Sequence, residues 1–160
     1  MMNPNHRMVI YRGLPGSGKT TIAMLERKAQ AKDCACEVFE ADHYYMKDGV
    51  YHFDPGKIGL AHSDCARRVM NFMEEHKNSN ALAIVSNTAI AAWEISPYIM
   101  LANVHNWWSM VITIVCPLRL CMQRETHNVP DRTMMEMAGT LATEKLPSHW
   151  NQKVIFNGVE

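Results

Sequence analysis

The chain has 160 residues, nearly half of them hydrophobic, and its 16 basic side chains balance 16 acidic ones. That length fits one domain with a substantial core and is too short for two ordinary ones, while the apolar content excludes a disordered chain. A net charge of zero excludes a general polyanion binder, so any nucleic-acid contact has to come from a local patch.

Met1 to Arg7 contains polar residues and a proline but no apolar signal core. No apolar run approaches the length of a membrane span, and the expected setting is the cytoplasm. Met8-Val9-Ile10-Tyr11 is a strand candidate that runs directly into Gly13-Leu14-Pro15-Gly16-Ser17-Gly18-Lys19-Thr20. This has the form G-x-x-x-x-G-K-[ST], the P-loop or Walker A motif. Its glycines leave room for backbone N–H groups to turn inward around a phosphate. The helix expected from Lys19 to about Ala31 points the positive end of its dipole at the same spot. Lys19 adds a full charge near the β- and γ-phosphates, and the Thr20 hydroxyl is suited to ligate Mg²⁺. The reading is a nucleoside-triphosphate site for ATP and Mg²⁺, with Gly13, Pro15, Gly16, Ser17, Gly18, Lys19, Thr20 and Thr21 holding the nucleotide.

Beyond the loop, Ile22, Leu25 and Ala29 recur at helical spacing and are expected to face a sheet. Glu37 to Glu40 reads as a short strand ending at Ala41-Asp42-His43. Asp48-Gly49, flanked by aromatic and β-branched residues, signals a hairpin. Asp54-Pro55 reads as an N-cap with proline at the first helical position. The helix it opens carries Ala61, Cys65, Val69, Phe72 and Met73 on one face, with Arg67 and Arg68 largely off it. Ala81 to Val85 is a continuous apolar run, the mark of a strand buried on both faces. Ser96-Pro97 is expected to start a helix whose inner stripe is Tyr98, Leu101, Ala102 and His105. Met110 to Val115 is a strand, and Pro117 to about Glu125 is helical. Thr126 to Pro130 is a break, a helix carries Met134, Met137, Ala138 and Leu141, and Val154-Ile155-Phe156 is the last strand.

Strands thus alternate with helices, which implies an α/β fold built on a parallel sheet covered on both faces. Ligands of such sheets bind at the carboxyl ends of the strands, where the P-loop, Asp42, Ser86-Asn87-Thr88 and the segment after Val115 all fall. Asp42 is a carboxylate across the cleft from the P-loop, suited to accept a hydroxyl proton during phosphoryl transfer. Arg124, just before the break, is suited to neutralise charge on the transferring group, and Arg119 is the weaker candidate. Tyr44, Tyr45, Tyr51 and His52 surround the hairpin and either stack on a base or pack it onto the sheet. Trp93, Trp107, Trp108 and Trp150 read as packing residues. The five cysteines include Cys34-x-Cys36, which lacks the second pair of a zinc site, and the histidines show no metal-ligand spacing.

Taken together, the P-loop through Thr21, Ala41-Asp42-His43-Tyr44, Val85-Ser86-Asn87-Thr88, Arg124 before Val129-Pro130, and the ending Ile155-Phe156-Asn157-Gly158 resemble a known group. They are similar to the kinase domain of phage polynucleotide 5′-hydroxyl kinases and to related kinase-like AAA-type ATP-binding domains. The resemblance covers nearly the whole chain, residues 1–160 as one domain. It implies a three-layer P-loop NTPase fold with five parallel strands ordered 2-3-1-4-5. It also implies Asp42 as general base, Arg124 as lid arginine, and a nucleic-acid 5′ end as acceptor, with Tyr44, Tyr45 and Asn87 as substrate-side residues. Three positions depart from the family: Ser86-Asn87 stands where an aspartate is usual, Tyr45 replaces a phosphate-gripping arginine, and the lid has His127 in place of a second arginine. A small-molecule or nucleoside kinase, and a nucleotide-binding regulatory module with weak ATPase activity, stay open as alternatives.

Overall fold

A computed structural model describes residues 3–158. Its elements, in order, are β1 (Asn3–Arg12), α1 (Lys19–Ala29), β2 (Ala35–Phe39), a 3₁₀ turn (Ala41–Tyr45), β3 (Met46–Lys47), β4 (Val50–Tyr51) and a 3₁₀ turn (Pro55–Lys57). Then follow α2 (Ile58–Glu75), β5 (Ala81–Ser86), α3 (Ala92–Val104), β6 (Trp107–Val115), α4 (Leu118–Arg124), α5 (Asp131–Thr143) and β7 (Gln152–Phe156). The main sheet runs β2-β5-β1-β6-β7, with every neighbouring pair parallel. With the small β3–β4 hairpin set aside, this is the 2-3-1-4-5 order expected from the resemblance.

The sheet divides the core in two. Met8 and Ile10 of β1 with Ala81, Ala83 and Val85 of β5 face α2 and α3, while Val9, Tyr11, Leu82 and Ile84 face α1. This period of two puts both faces of β5 in contact with helices, and all six of its residues are buried. The inward face of α2 is the one the spacing gives: Ala61, Cys65, Val69, Phe72 and Met73. A third cluster joins Leu14, Ile90 and Cys116, each just past the end of a strand, to Cys121 of α4 and Met134 of α5. That cluster therefore walls the carboxyl edge of the sheet. Among the described residues no helix is long and apolar enough to cross a membrane.

Local signals explain the turns. Asp48 and Gly49 both take positive φ, 49° and 77°, as a two-residue hairpin turn requires. The Asp54 carboxylate accepts the Gly56 N–H at 2.9 Å, with Pro55 opening the turn into α2. Four expectations need correction. In α1, Ala23 is fully buried and Ile22 partly so, whereas Leu25 is 61% exposed and Ala29 is also at the surface. The reason is phase. Lys19 is buried at the start of α1, so the inward face follows as Ile22, Ala23 and Glu26, and Leu25 lies well round the helix. In α3, Ser96-Pro97 sits inside the helix rather than at its start. Glu94 and Glu144 accept the Ala91 and Ala92 N–H groups at 2.8 and 2.9 Å and cap the earlier start, and Pro97 forfeits only one backbone bond. Trp93 is 75% exposed rather than packed, while Trp107 is buried and stacks on His6. Arg68 is drawn inward, donating to the Glu40 carbonyl at 2.7 Å and to Asp64 at 2.8 Å.

The corrected phase of α1 is testable against a buried reference in α2. Met73→Ala, which empties a fully buried α2 site, is expected to cost about 2–5 kcal/mol in denaturant unfolding. Leu25→Ala is expected to stay within about 0.5 kcal/mol of the parent, the size of an ordinary surface substitution. A large loss for Leu25→Ala would restore the inward reading of that side chain.

Candidate functional site

The P-loop is held in shape at both ends. The Gly13 N–H donates to the Thr88 carbonyl at 3.0 Å, and the Ser17 N–H donates to the Leu14 carbonyl at 3.1 Å. Gly16 and Gly18 have φ of 76° and 93°, left-handed backbone that suits glycine. Space is short as well: a methyl group at Gly16 would collide with the Cys121 carbonyl, and one at Gly18 would lie 2.5 Å from the Asn157 side-chain amide. Asn157 itself donates to the Ser17 carbonyl at 2.8 Å, so the end of β7 braces the loop. The residues after Gly18 form the first turn of α1, where backbone N–H groups lack helical acceptors. Pro15, Gly16 and Gly18 are half-buried, Ser17 is buried, and Thr20 and Thr21 are exposed.

Lys19 is buried under this loop. Its ammonium donates to the Gly13 and Leu14 carbonyls at 2.8 and 2.7 Å, and Ser17 Oγ lies at 3.5 Å. Burial pulls its pKa down to about 8, against the opposing influence of nearby negative groups, among them Glu40 and Asp42. A cation held by neutral carbonyls in a desolvated place is well suited to move onto a phosphate.

The opposite wall is the end of β2. Thr20 Oγ1 donates to Glu40 Oε1 at 2.5 Å. Two residues on, the Asp42 side chain is 53% exposed, accepts from the Tyr51 hydroxyl at 3.2 Å, and has His127 Nε2 3.7 Å from its Oδ2. The Tyr51 and His127 rings lie 4.5 Å apart, so the hairpin and the segment between α4 and α5 meet over Asp42. That segment is a built turn: Glu125 accepts the His127 and Val129 N–H groups, and Asn128 has a φ of 56°. Burial, together with the charge of Asp42 and the hydrogen bond to it, pushes the Tyr51 hydroxyl pKa up. Arg124 ends α4 with an exposed side chain that forms no salt bridge among the described residues.

Two of the expected substrate-side residues turn inward. Asn87 is only 7% exposed and fully committed: it accepts the Ala41 N–H at 2.8 Å and donates to Tyr98 Oη at 3.2 Å and Cys65 Sγ at 3.7 Å. It therefore pins the start of the Asp42 turn to the end of β5. Tyr45 is buried among Tyr44, Tyr51 and Phe53, with ring centroids 5.2 to 5.8 Å away. Its enclosed ring packs the hairpin and, with Tyr44, forms part of a cavity wall. Tyr44 stays half-buried, beside a cavity of about 510 Å³ lined also by Lys47, His52 and Phe53. Sequence reasoning missed Glu40 and Asn157. Glu40 lies two residues before the conspicuous Asp42, and Asn157 enters only through the resemblance of the chain's ending, although both follow strand ends at the P-loop edge.

The donors fit ATP with Mg²⁺. A threonine hydroxyl beside a carboxylate offers the hard oxygens that Mg²⁺ takes, and no cluster of three or more acidic, histidine or cysteine ligands occurs among the described residues. Mg²⁺ in phosphate sites is typically held by one or two protein groups, with phosphate oxygens and waters supplying the rest.

Known proteins agree with this architecture. A family profile described as an AAA domain matches residues 8–142. Human NEDD4-binding protein 2 is 33% identical over 100 residues, which is 62% of this chain and 5% of that protein. This chain thus corresponds to a small part of that relative. Among solved structures, the Mycobacterium tuberculosis APS kinase CysC in complex with AMPPNP and APS matches with a TM-score of 0.66 and 17% identity, covering 99% of this chain and 92% of that one. A chain of the Pnkp1/Rnl/Hen1 RNA repair complex matches with a TM-score of 0.66 and 14% identity, covering 86% and 44%. At these identities the two structures speak for the fold.

The lowered pKa of Lys19 sets a pH dependence. Phosphate next to the ammonium raises its pKa, so above about 8 the nucleotide complex holds more protons than the free protein. Nucleotide affinity is therefore expected to fall as pH rises from about 8 toward 10, with proton uptake visible when calorimetry is repeated in buffers of different ionisation enthalpy. A flat affinity profile across that range would separate Lys19 from the phosphates.

Proposed function

The chain belongs to the AAA domain family, and on that premise we propose that it is an ATP-dependent phosphotransferase whose acceptor is a hydroxyl group. The observation that carries this reading is the meeting, on one edge of the sheet, of a P-loop with a buried lysine and a strand end with a half-exposed aspartate, joined by the Thr20–Glu40 hydrogen bond. The P-loop amides and Lys19 bind and orient the triphosphate. Thr20 would help hold Mg²⁺, which would supply charge neutralisation across the phosphates. Asp42 accepts the acceptor's hydroxyl proton as the acceptor oxygen bonds to the γ-phosphorus. The bond from that phosphorus to the bridging oxygen breaks, and ADP departs with its electron pair. Tyr51 holds one carboxylate oxygen of Asp42 and leaves the other toward His127 and the cleft. Arg124, exposed beside the α4–α5 turn and without a salt bridge among the described residues, is available to close over the transferring group.

For the acceptor we propose the 5′-hydroxyl end of a nucleic acid. The resemblance in the P-loop, Asp42 and Arg124 segments supports it, as does the likeness to a chain of an RNA repair complex. Zero net charge and the inward Tyr45 argue against an extended basic groove. Recognition then rests on a few nucleotides, with Tyr44 and the exposed Phe53 as stacking surfaces. A small-molecule acceptor is the second reading, favoured by the half-open cavity beside Tyr44.

Transfer of labelled γ-phosphate is to be measured over 5′-hydroxyl oligonucleotides of graded length and over nucleosides, at two salt concentrations. Efficiency is expected to level off within a few nucleotides and to change little with salt. Asp42→Asn is expected to keep nucleotide affinity and slow transfer by at least about a hundredfold. Transfer to nucleosides alone would move the assignment to the small-molecule reading, and an unaffected rate in Asp42→Asn would remove the base from that residue.

A further inference from the structure

Glu40 belongs to none of the motifs above, yet its surroundings are specific. It follows Phe39, the last residue of β2. Val38 lies in the α1-side cluster and Phe39 in the opposite one, so strand alternation turns Glu40 toward α1. Its side chain is 17% exposed, with Oε1 on the Thr20 hydroxyl and Oε2 3.2 Å from His43 Nε2. Arg68 holds its backbone carbonyl at 2.7 Å. On the neighbouring strand Val85 is in register with Phe39, which sets Ser86 beside Glu40. By the same alternation Ser86 follows Leu82 and Ile84 onto the α1 face. Ser86 is 6% exposed, and its hydroxyl has no hydrogen-bond partner among the described residues. The next residue, Asn87, is neutral and already engaged.

We propose that Glu40 is the metal-positioning carboxylate of this site, taking from β2 the part that Ser86-Asn87 on β5 has no charge to play. The inference rests on the P-loop being a nucleotide site. A hydroxyl has one proton and two lone pairs. With Thr20 donating its hydroxyl hydrogen bond to Glu40, its oxygen keeps its lone pairs for a cation and becomes a better ligand to it. A carboxylate behind a ligand in this way both fixes its orientation and raises its basicity. The half-buried negative charge also offsets part of the cation's charge within a cleft that already contains Lys19. The Ser86 hydroxyl, left without a protein partner, is available to a metal-bound water, which in Mg²⁺ sites is rarely stripped away. Glu40 is thus a positioning residue that acts through Thr20.

The test is nucleotide binding, separate from any phosphoryl transfer. ATP affinity is measured by calorimetry with excess Mg²⁺ and with chelator, for the parent and for Glu40→Gln and Glu40→Asp. The parent is expected to bind more tightly with Mg²⁺. In Glu40→Gln that metal-dependent gain is expected to fall by about tenfold or more, the usual scale for loss of a supporting carboxylate, while metal-free affinity stays within about twofold. Glu40→Asp, which keeps the charge, is expected to recover most of the gain, and guards against a folding defect in the glutamine variant. Mn²⁺ resonance spectra with ADP give a second readout: the bound-ion signal of the parent is expected to weaken in Glu40→Gln. An unchanged metal-dependent gain in Glu40→Gln, or an equal loss with and without metal, would overturn the proposal. A parent that binds no nucleotide in either condition would instead overturn the nucleotide-site reading beneath it.

Discussion

The rest of the structure depends on the burial of one charge, the Lys19 ammonium beneath the P-loop. Taking a cation out of water is costly unless hydrogen bonds receive it. Here the Gly13 and Leu14 carbonyls receive it, and they can do so only because the loop curls back over the first turn of α1. The consequences run outward along the chain. Lys19 fixes the rotational phase of α1, which then packs Ala23 on the sheet and brings Glu26 to the Tyr11 hydroxyl at 2.5 Å. That phase leaves Thr20 turned to the β2 wall, where Glu40 meets it. The same buried ammonium is the group that a phosphate would draw most strongly, because its present partners are neutral.

The second constraint is the bracing of the cleft from below. The acidic segment after β2 is a short 3₁₀ turn, an element that holds few bonds of its own. Its position comes from three long-range contacts: Asn87 to the Ala41 N–H, Arg68 to the Glu40 carbonyl, and Tyr51 to Asp42. These join β5, α2 and the hairpin to one stretch of chain. Departures from the family pattern acquire a physical sense in that setting. An asparagine at position 87 can accept from one backbone amide and donate to two side chains at once, which a carboxylate, an acceptor only, could not do. Tyr45 in turn fills the hollow under the hairpin that a charged arginine could not enter without a partner.

Much of this was legible in the residues. The P-loop, the fully buried β5, the inner face of α2, the Asp48-Gly49 turn and the Asp54-Pro55 cap each carry a strong local signal, and the sheet order followed from the resemblance. What stayed hidden was set by partners distant in sequence. The phase of α1 depends on Lys19 being buried, whereas lysine ordinarily marks a surface. The start of α3 depends on Glu144, some fifty residues downstream, and so Ser96-Pro97 offered the more visible boundary. The inward Asn87 and Tyr45 could not be told from exposed ones without knowing what Ala41, Tyr98 and Phe53 do. Glu40 was overlooked because its meaning lies in a contact with Thr20 on another element. At the site, the residue types were readable and their directions were not.

The central claim is that Lys19 and the loop above it form the triphosphate site, and the most direct measurement is a calorimetric titration of Mg·ATP into the parent and into Lys19→Ala, alongside their melting temperatures. The account predicts one binding site in the parent, loss of that binding in the variant, and a moderate fall in melting temperature that leaves the variant folded, since the Gly13 and Leu14 carbonyls lose the ammonium they hold. Equal affinity in the two proteins would contradict it.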